Sequence, residues 1–270
     1  MQVWPRQTVI FILPEAQGPA AQRGGRKCER AMSAIPSLMP VPSLAGPWTV
    51  LSTVLEHIAD THPDAVFASS LGAEDMVLAH AILTAGLPIK IFTLDTGRLH
   101  AETLELLHTI HERYGVEIKR VQPDIAAVKA HVDAHGAHAF YESTALRKEC
   151  CAIRKVEPLR RALHGHSAWL TGQRRAQSLT RTELPESELD PVFGLWKYNP
   201  MAAWTHDDVW AAIRQFGIPY NPLHDQGYPS IGCEPCTRAV RPGEDERAGR
   251  WWWEQKLSKE CGLHAGNLRN

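Results

Sequence analysis

Between residues 51 and 171 short apolar runs alternate with longer amphipathic ones, and this alternation limits the chain to few folds. Leu51, Val54, Leu55 and Ile58 recur at helical spacing, and Pro47 suits a helix start. Ala65–Ser69 is a short apolar strand. Residues from Ser70 to Asp75 turn into a helix that stops at Gly86, and Ile89–Leu94 is the next strand. A helix carrying Leu104, Leu107, Ile110 and Tyr114 stops at Gly115, and Val116–Val121 is a third strand. Helices are expected around 124–135 and 143–163, then a strand at Ala168–Thr171. Strands alternating with helices of this length predict an α/β fold, a mostly parallel sheet with helices on both faces.

In such a sheet ligands bind beyond the carboxyl ends of the strands. The loops there hold the unusual residues: Ser69–Asp75, Asp95–Arg98 and Gly172–Arg181. Ser69, Ser70 and Gly72 lie between strand and helix, where hydroxyls, backbone N–H groups and the helix dipole favour an anion. The loop has no Walker lysine, so it is no P-loop, and a plain helix cap is the bland alternative. Asp95-Thr96-Gly97 matches the aspartic-protease triplet, but those enzymes are all-β. At a strand end in an α/β sheet, Asp95 is placed to hold a ribose or purine, or to cap a turn. Arg174 and Arg175, with Arg181 nearby, form a basic loop after the last strand, and arginine forks grip phosphate or sulfate. A solvated charge run is the alternative.

Six cysteines in 270 residues are too few for a disulfide scaffold, but their spacing is informative. Cys150 and Cys151 are adjacent, Cys233 and Cys236 form a C-x-x-C pair, and Cys28 and Cys261 stand alone. Paired thiols suggest a metal centre. Adjacent cysteines suit a single zinc ion poorly, whereas in a [4Fe–4S] cubane each thiolate takes its own iron. Lys155, one turn past Cys151, either faces that centre or is solvated. Trp251-Trp252-Trp253 reads as part of a helix whose tryptophans pack on the domain, with Arg247 and Arg250 on one face completing an anion pocket. Cys261 sits in a polar tail between Lys259 and His264, whose charge could lower a thiol pKa; on this segment alone a solvated tail thiol without a role is the alternative.

Net charge is −1, which argues against nucleic acid, and the apolar runs are too short to cross a membrane. Residues 1–46 are rich in proline and lack a period, so a disordered or mis-started extension is expected, with Met32 or Met39 as alternative starts and no role for Cys28. The reading is thus an extension at 1–46, a nucleotide-binding domain with a metal site at 47–252, and a C-terminal tail at 253–270.

Six segments together resemble the assimilatory adenylylsulfate (APS) reductases of the phosphoadenylylsulfate (PAPS) reductase family. They are Ser70–Asp75, Leu94–Gly97, Lys148–Cys151, Gly172–Arg175, Cys233–Cys236 and Lys259–His264. The family's arginine loop often has an acidic residue where Ala176 stands. The resemblance implies an adenine-nucleotide α-hydrolase-like fold with a mobile C-terminal tail. It implies a [4Fe–4S] cluster on Cys150, Cys151, Cys233 and Cys236, and cytoplasmic reduction of APS to sulfite and AMP in sulfate assimilation and cysteine biosynthesis. Cys261 is then the catalytic nucleophile and carries an S-sulfo intermediate, which thioredoxin or a glutaredoxin-like thiol donor resolves. Lys155, Arg174, Arg175, Arg247, Arg250 and His264 would surround the anionic substrate. PAPS reduction is the nearest alternative, with a tRNA-thiolating enzyme of the same superfamily and a zinc-stabilised binding module behind it.

Overall fold

The computed structural model describes residues 44–254 except 179 and 180. Helix α1 (Ala45–Thr61) opens the described chain, two residues before the expected start, because Pro47 tolerates any place in a first turn whose N–H groups lack partners anyway. Then come β1 (Val66–Ser69), α2 (Ala73–Thr84), β2 (Lys90–Leu94), α3 (Ala101–Tyr114), β3 (Lys119–Val121) and α4 (Ile125–His135). Gly115 ends α3 at φ 68°, the left-handed geometry glycine adopts without strain. Strand β3 is three residues long, where the apolar pattern had suggested six from Val116.

The expected helix at 143–163 is divided. Helix α5 (Thr144–Cys151) passes into a π-helical turn (Ala152–Val156) and then α6 (Glu157–Leu163). Pro158 has no N–H to give the carbonyl four residues back, and widening the turn accommodates that loss. Strand β4 (Ala168–Leu170) follows, then β5 (Ser187–Leu189), β6 (Trp196–Tyr198) and α7 (His206–Phe216). The segment from Glu244 to Glu254 is built of turns and not of the expected helix. Its tryptophans still pack as that reading required: Trp251 is buried, Trp253 half-buried and Trp252 exposed.

The sheet order is β3-β2-β1-β4-β6-β5, parallel except for β5 against β6. Alternate residues of the strands feed two cores. Phe67, Ala168 and Leu170 pack with Leu55, Met76, Leu106 and Ile213 from α1, α2, α3 and α7. Val66, Phe92, Val121 and Trp169 pack on the other face with Leu159 and Leu163 of α6. Helices therefore cover both faces, as a buried parallel sheet requires. Among the described residues no helix is long and apolar enough to cross a membrane.

The order of strands reverses at β1. The chain runs outward through β2 and β3, then returns to place β4 on the other side of β1. Loops leaving β1 and β4 consequently diverge and open a crevice, the usual ligand position in such sheets. Phe67 is fully buried in β1 beside that point. Phe67→Ala is expected to cost about 3–5 kcal/mol in urea unfolding, from lost transfer energy and a cavity; a loss under about 1 kcal/mol would contradict this packing.

Candidate active site and thiol cluster

The crevice is lined by Ser69, Ser70 and Gly72 after β1, Thr96 after β2, and Thr171, Gly172 and Gln173 after β4. Lys155, Arg181, Arg247 and Arg250 bring positive charge to it. The β1 loop is tightly specified. Leu71 is buried at φ 62°, which costs energy for a branched side chain and fixes a sharp turn. The Ser69 hydroxyl accepts the Leu71 N–H at 3.1 Å. Ser70 donates both its N–H (2.5 Å) and its hydroxyl (2.6 Å) to the Asp75 carboxylate. Asp75 also accepts the backbone N–H of Gly172, which ties the β1 loop to the β4 loop. A Cβ on Gly172 would lie 2.1 Å from an Asp75 oxygen, so only glycine permits this contact.

The N-cap residue of α2 is Gly72, which has no side chain to cap the helix, and a helix N-terminus suits an anion. Two first-turn carboxylates would oppose one, and both are moderated. Burial would raise the Glu74 carboxyl, but the Arg174 guanidinium, the Gln177 side chain and a backbone N–H together outweigh it and hold the group low. Arg174 forks onto Glu74 with bonds of 2.9 and 2.6 Å. Burial pushes Asp75 up to about 6, against the Ser70 bonds.

Several expected site residues stand elsewhere. Arg174 neutralises Glu74 and is not part of the crevice lining; at 1% exposure it is enclosed in the protein. Arg175 points away, donating to the Leu184 carbonyl at 2.8 Å and lying 3.6 Å from Glu186. Asp95 is engaged in its own turn, accepting from Gly97 N and Gln122 at 3.0 Å each, while Gly97 serves that turn at φ 69°. The basic loop reaches the crevice instead through Gln173, Gln177 and Arg181. Cys261 and His264 lie outside the described residues, as does Cys28. Asp75 and Gln177 were missed by the sequence reading. The Glu74-Asp75 pair straight after Gly72 was the available signal, because acids at an anion site demand an explanation.

Beside the crevice lies a second, smaller cavity. Cys150 and Cys151 from α5 and Cys233 and Cys236 from a 3₁₀ turn all line it, and all four are free thiols. Thr96 holds Cys233 through a 3.2 Å Oγ1···Sγ contact, and an isolated bridge pairs Leu99 with Cys233. Cations surround the group: Arg98, Arg147, Arg154 and Lys155 share the lining. Burial raises the Cys233 thiol, but the Lys155 charge, the Thr96 hydroxyl and Arg250 together lower it. Cys236 is pushed up to about 11, first by burial and then by Cys233. Arg147 is fully buried, forks onto Glu254 at 2.8 and 2.7 Å, and lies over the Trp251 ring at 4.7 Å. Arg250 lies over the same ring at 4.7 Å and packs on Gly232, where a Cβ would come within 2.3 Å of its guanidinium.

Among the described residues, the His, Cys, Asp and Glu ligand atoms that all fall within 4.8 Å of one another belong to His131, His135 and Glu149. No three of the four sulfurs crowd that closely. A zinc tetrahedron with Zn–S bonds of about 2.3 Å would bring its sulfurs to about 3.8 Å. The four thiols thus line one cavity without the close approach that a single zinc ion would impose on them. The cavities share a wall: Lys155, Cys233 and Trp251 line both.

Residues 64–239 match the phosphoadenosine phosphosulfate reductase domain family. An adenosine 5'-phosphosulfate reductase of Burkholderia cepacia is 58% identical over 233 residues, covering 86% of this chain and 93% of the relative. The crystal structure of a phosphoadenylyl-sulfate (PAPS) reductase from Candida auris, a phosphate complex, superposes with TM-score 0.60 at 25% identity, over 75% of this chain and 98% of that one. An FMN adenylyltransferase of Candida glabrata shares the fold, with TM-score 0.52 at 12% identity over 83% of this chain and 81% of that one.

Because the folded pKa of Asp75, about 6, lies above its ordinary 3.8, the ionised form costs stability. That cost is absent below the unfolded pKa and grows as pH rises through the folded one. Relative to Asp75→Asn, the wild-type protein is expected to gain roughly 1 kcal/mol in urea unfolding between pH 7 and pH 5. A constant difference, or one of opposite sign, would contradict the buried carboxyl.

Proposed function

Because the chain belongs to the phosphoadenosine phosphosulfate reductase family, among the adenosine 5'-phosphosulfate reductases, we propose that it reduces adenosine 5'-phosphosulfate to sulfite and AMP. It is an oxidoreductase acting on a sulfur group. The observation that carries this reading is the shared wall: Lys155 and Cys233 connect an anion-ready crevice to the four-thiol cavity.

Ser69, Ser70, Gly72 and the start of α2 receive the phosphate. Lys155, Arg181, Arg247 and Arg250 offset the repulsion between an anionic substrate and an anionic nucleophile. Arg174 acts indirectly, by removing the charge of Glu74 from the phosphate's approach. Arg175 and Asp95 shape loops and do not contact substrate in this account.

Cys150, Cys151, Cys233 and Cys236 would hold a [4Fe–4S] cluster, and four thiols lining one cavity among cations fit one. When bound, such a cluster would supply fixed charge and a covalent tie between α5 and the 3₁₀ turn at Glu234–Cys236, while thiols would carry the electrons. Cys261 is the nucleophile. Arg147 anchors Glu254, seven residues earlier, and seven residues span at most about 25 Å, enough to reach a crevice lined by Trp251. The Cys261 thiolate attacks the sulfur of the sulfate–phosphate anhydride, the S–O bond breaks, and AMP leaves with the electron pair. A thiolate of a dithiol donor, thioredoxin or a glutaredoxin-like protein, then attacks the Cys261 sulfur. Sulfite leaves with that electron pair, and the donor's second thiol releases Cys261 and closes the donor disulfide. His264 would assist from the same tail, and a cytoplasmic location accords with reducing thiol donors.

Cys261→Ser should lower turnover at least about 10³-fold and abolish the S-sulfo adduct seen by mass spectrometry after incubation with APS without donor. Retained turnover would eliminate this nucleophile. The unsubstituted enzyme should also show a higher kcat/KM for APS than for PAPS, and the reverse order would make PAPS the substrate.

A further inference from the structure

Nothing in the reductase reading uses the histidines between residues 129 and 138. His131 and His135 are four apart on α4 and share a face, with ring centroids 5.2 Å apart. Helix α5 brings Glu149 against them, and Nδ1 of His131 lies 3.1 Å from its Oε1. One ligand atom from each of the three lies within 4.8 Å of the other two. His131 is buried, while His135 and Glu149 are open to solvent, so an ion has a supported floor and a way in.

Two imidazole nitrogens and one carboxylate oxygen form a donor set for borderline divalent cations, not for calcium or magnesium, which prefer all-oxygen shells. Histidines one helical turn apart are a recurrent way to present two such nitrogens on one face. We infer that His131, His135 and Glu149 form a second, peripheral metal site for a cation of the zinc class, with water in the remaining positions. Binding exchanges the His131–Glu149 hydrogen bond for bonds to the ion and requires neutral imidazoles. It crosslinks α4 to α5 one residue before Cys150. The site contains no sulfur and stands independently of the proposed reductase chemistry.

The test uses full-length, cluster-loaded protein with accessible thiols alkylated, dialysed against Zn²⁺ and analysed for bound metal. One zinc equivalent per chain is expected. His135→Ala and Glu149→Gln, both at exposed positions, should each weaken it at least about tenfold. His138→Ala, in the same stretch but outside the triad, should bind as the unsubstituted protein does. Zinc should raise Tm in the unsubstituted protein and not in His135→Ala. The inference is overturned by an absent zinc equivalent, by unchanged binding in His135→Ala and Glu149→Gln, or by an equal loss in His138→Ala.

Discussion

The contact of Lys155 with the buried Cys233 is the junction on which the rest of the structure depends. A lysine that lines both the crevice and the four-thiol cavity lowers the cost of negative charge in each. Cys233 shows the balance directly, since burial would raise its thiol and the nearby cations reverse that shift. Lys155 stands there because the helix after Cys151 widens into a π turn, a local departure that recurs at functional sites. Pro158 makes the departure necessary, and the Arg154 bond to the Thr96 carbonyl at 2.7 Å anchors it to the sheet.

A second set of contacts makes the crevice hospitable to anions before any ligand arrives. Acidic residues in the first turn of α2 would normally repel phosphate. One is neutralised by Arg174, and the other is buried and used as a brace between two loops. Backbone strain is found at Leu71, between the crevice-lining Ser70 and Gly72, and at Trp251, which lines the crevice itself and has φ 42°. Such positions persist only where surrounding packing over-determines them, as Ser69, Asp75 and the two arginines against Trp251 do here.

Much of this was legible in the residues. Alternation of apolar runs announced the parallel sheet, and cysteine spacing announced the thiol cavity. Three features were not. Strands β5 and β6 are too short to carry a period, and α7 was passed over although Thr205 and Asp208 form a capping box at its start. The role of Arg174 could not be read from its loop, because whether an arginine meets a ligand or a carboxylate depends here on a partner 100 residues away, Glu74; Arg175 turns to the Leu184 carbonyl and Glu186, which only the path of the following loop decides. Arg247 and Arg250 do reach the crevice, through turns and not through the helical face that their spacing suggested.

The claim that the two cavities act as one site is tested most directly by Mössbauer spectroscopy of anaerobically purified, iron-57-enriched protein with and without bound nucleotide. The account predicts the signature of a [4Fe–4S] cluster whose iron sites change when AMP or APS occupies the crevice, because Lys155 and Cys233 face both. Zinc in place of iron, or a cluster spectrum indifferent to the nucleotide, would contradict it.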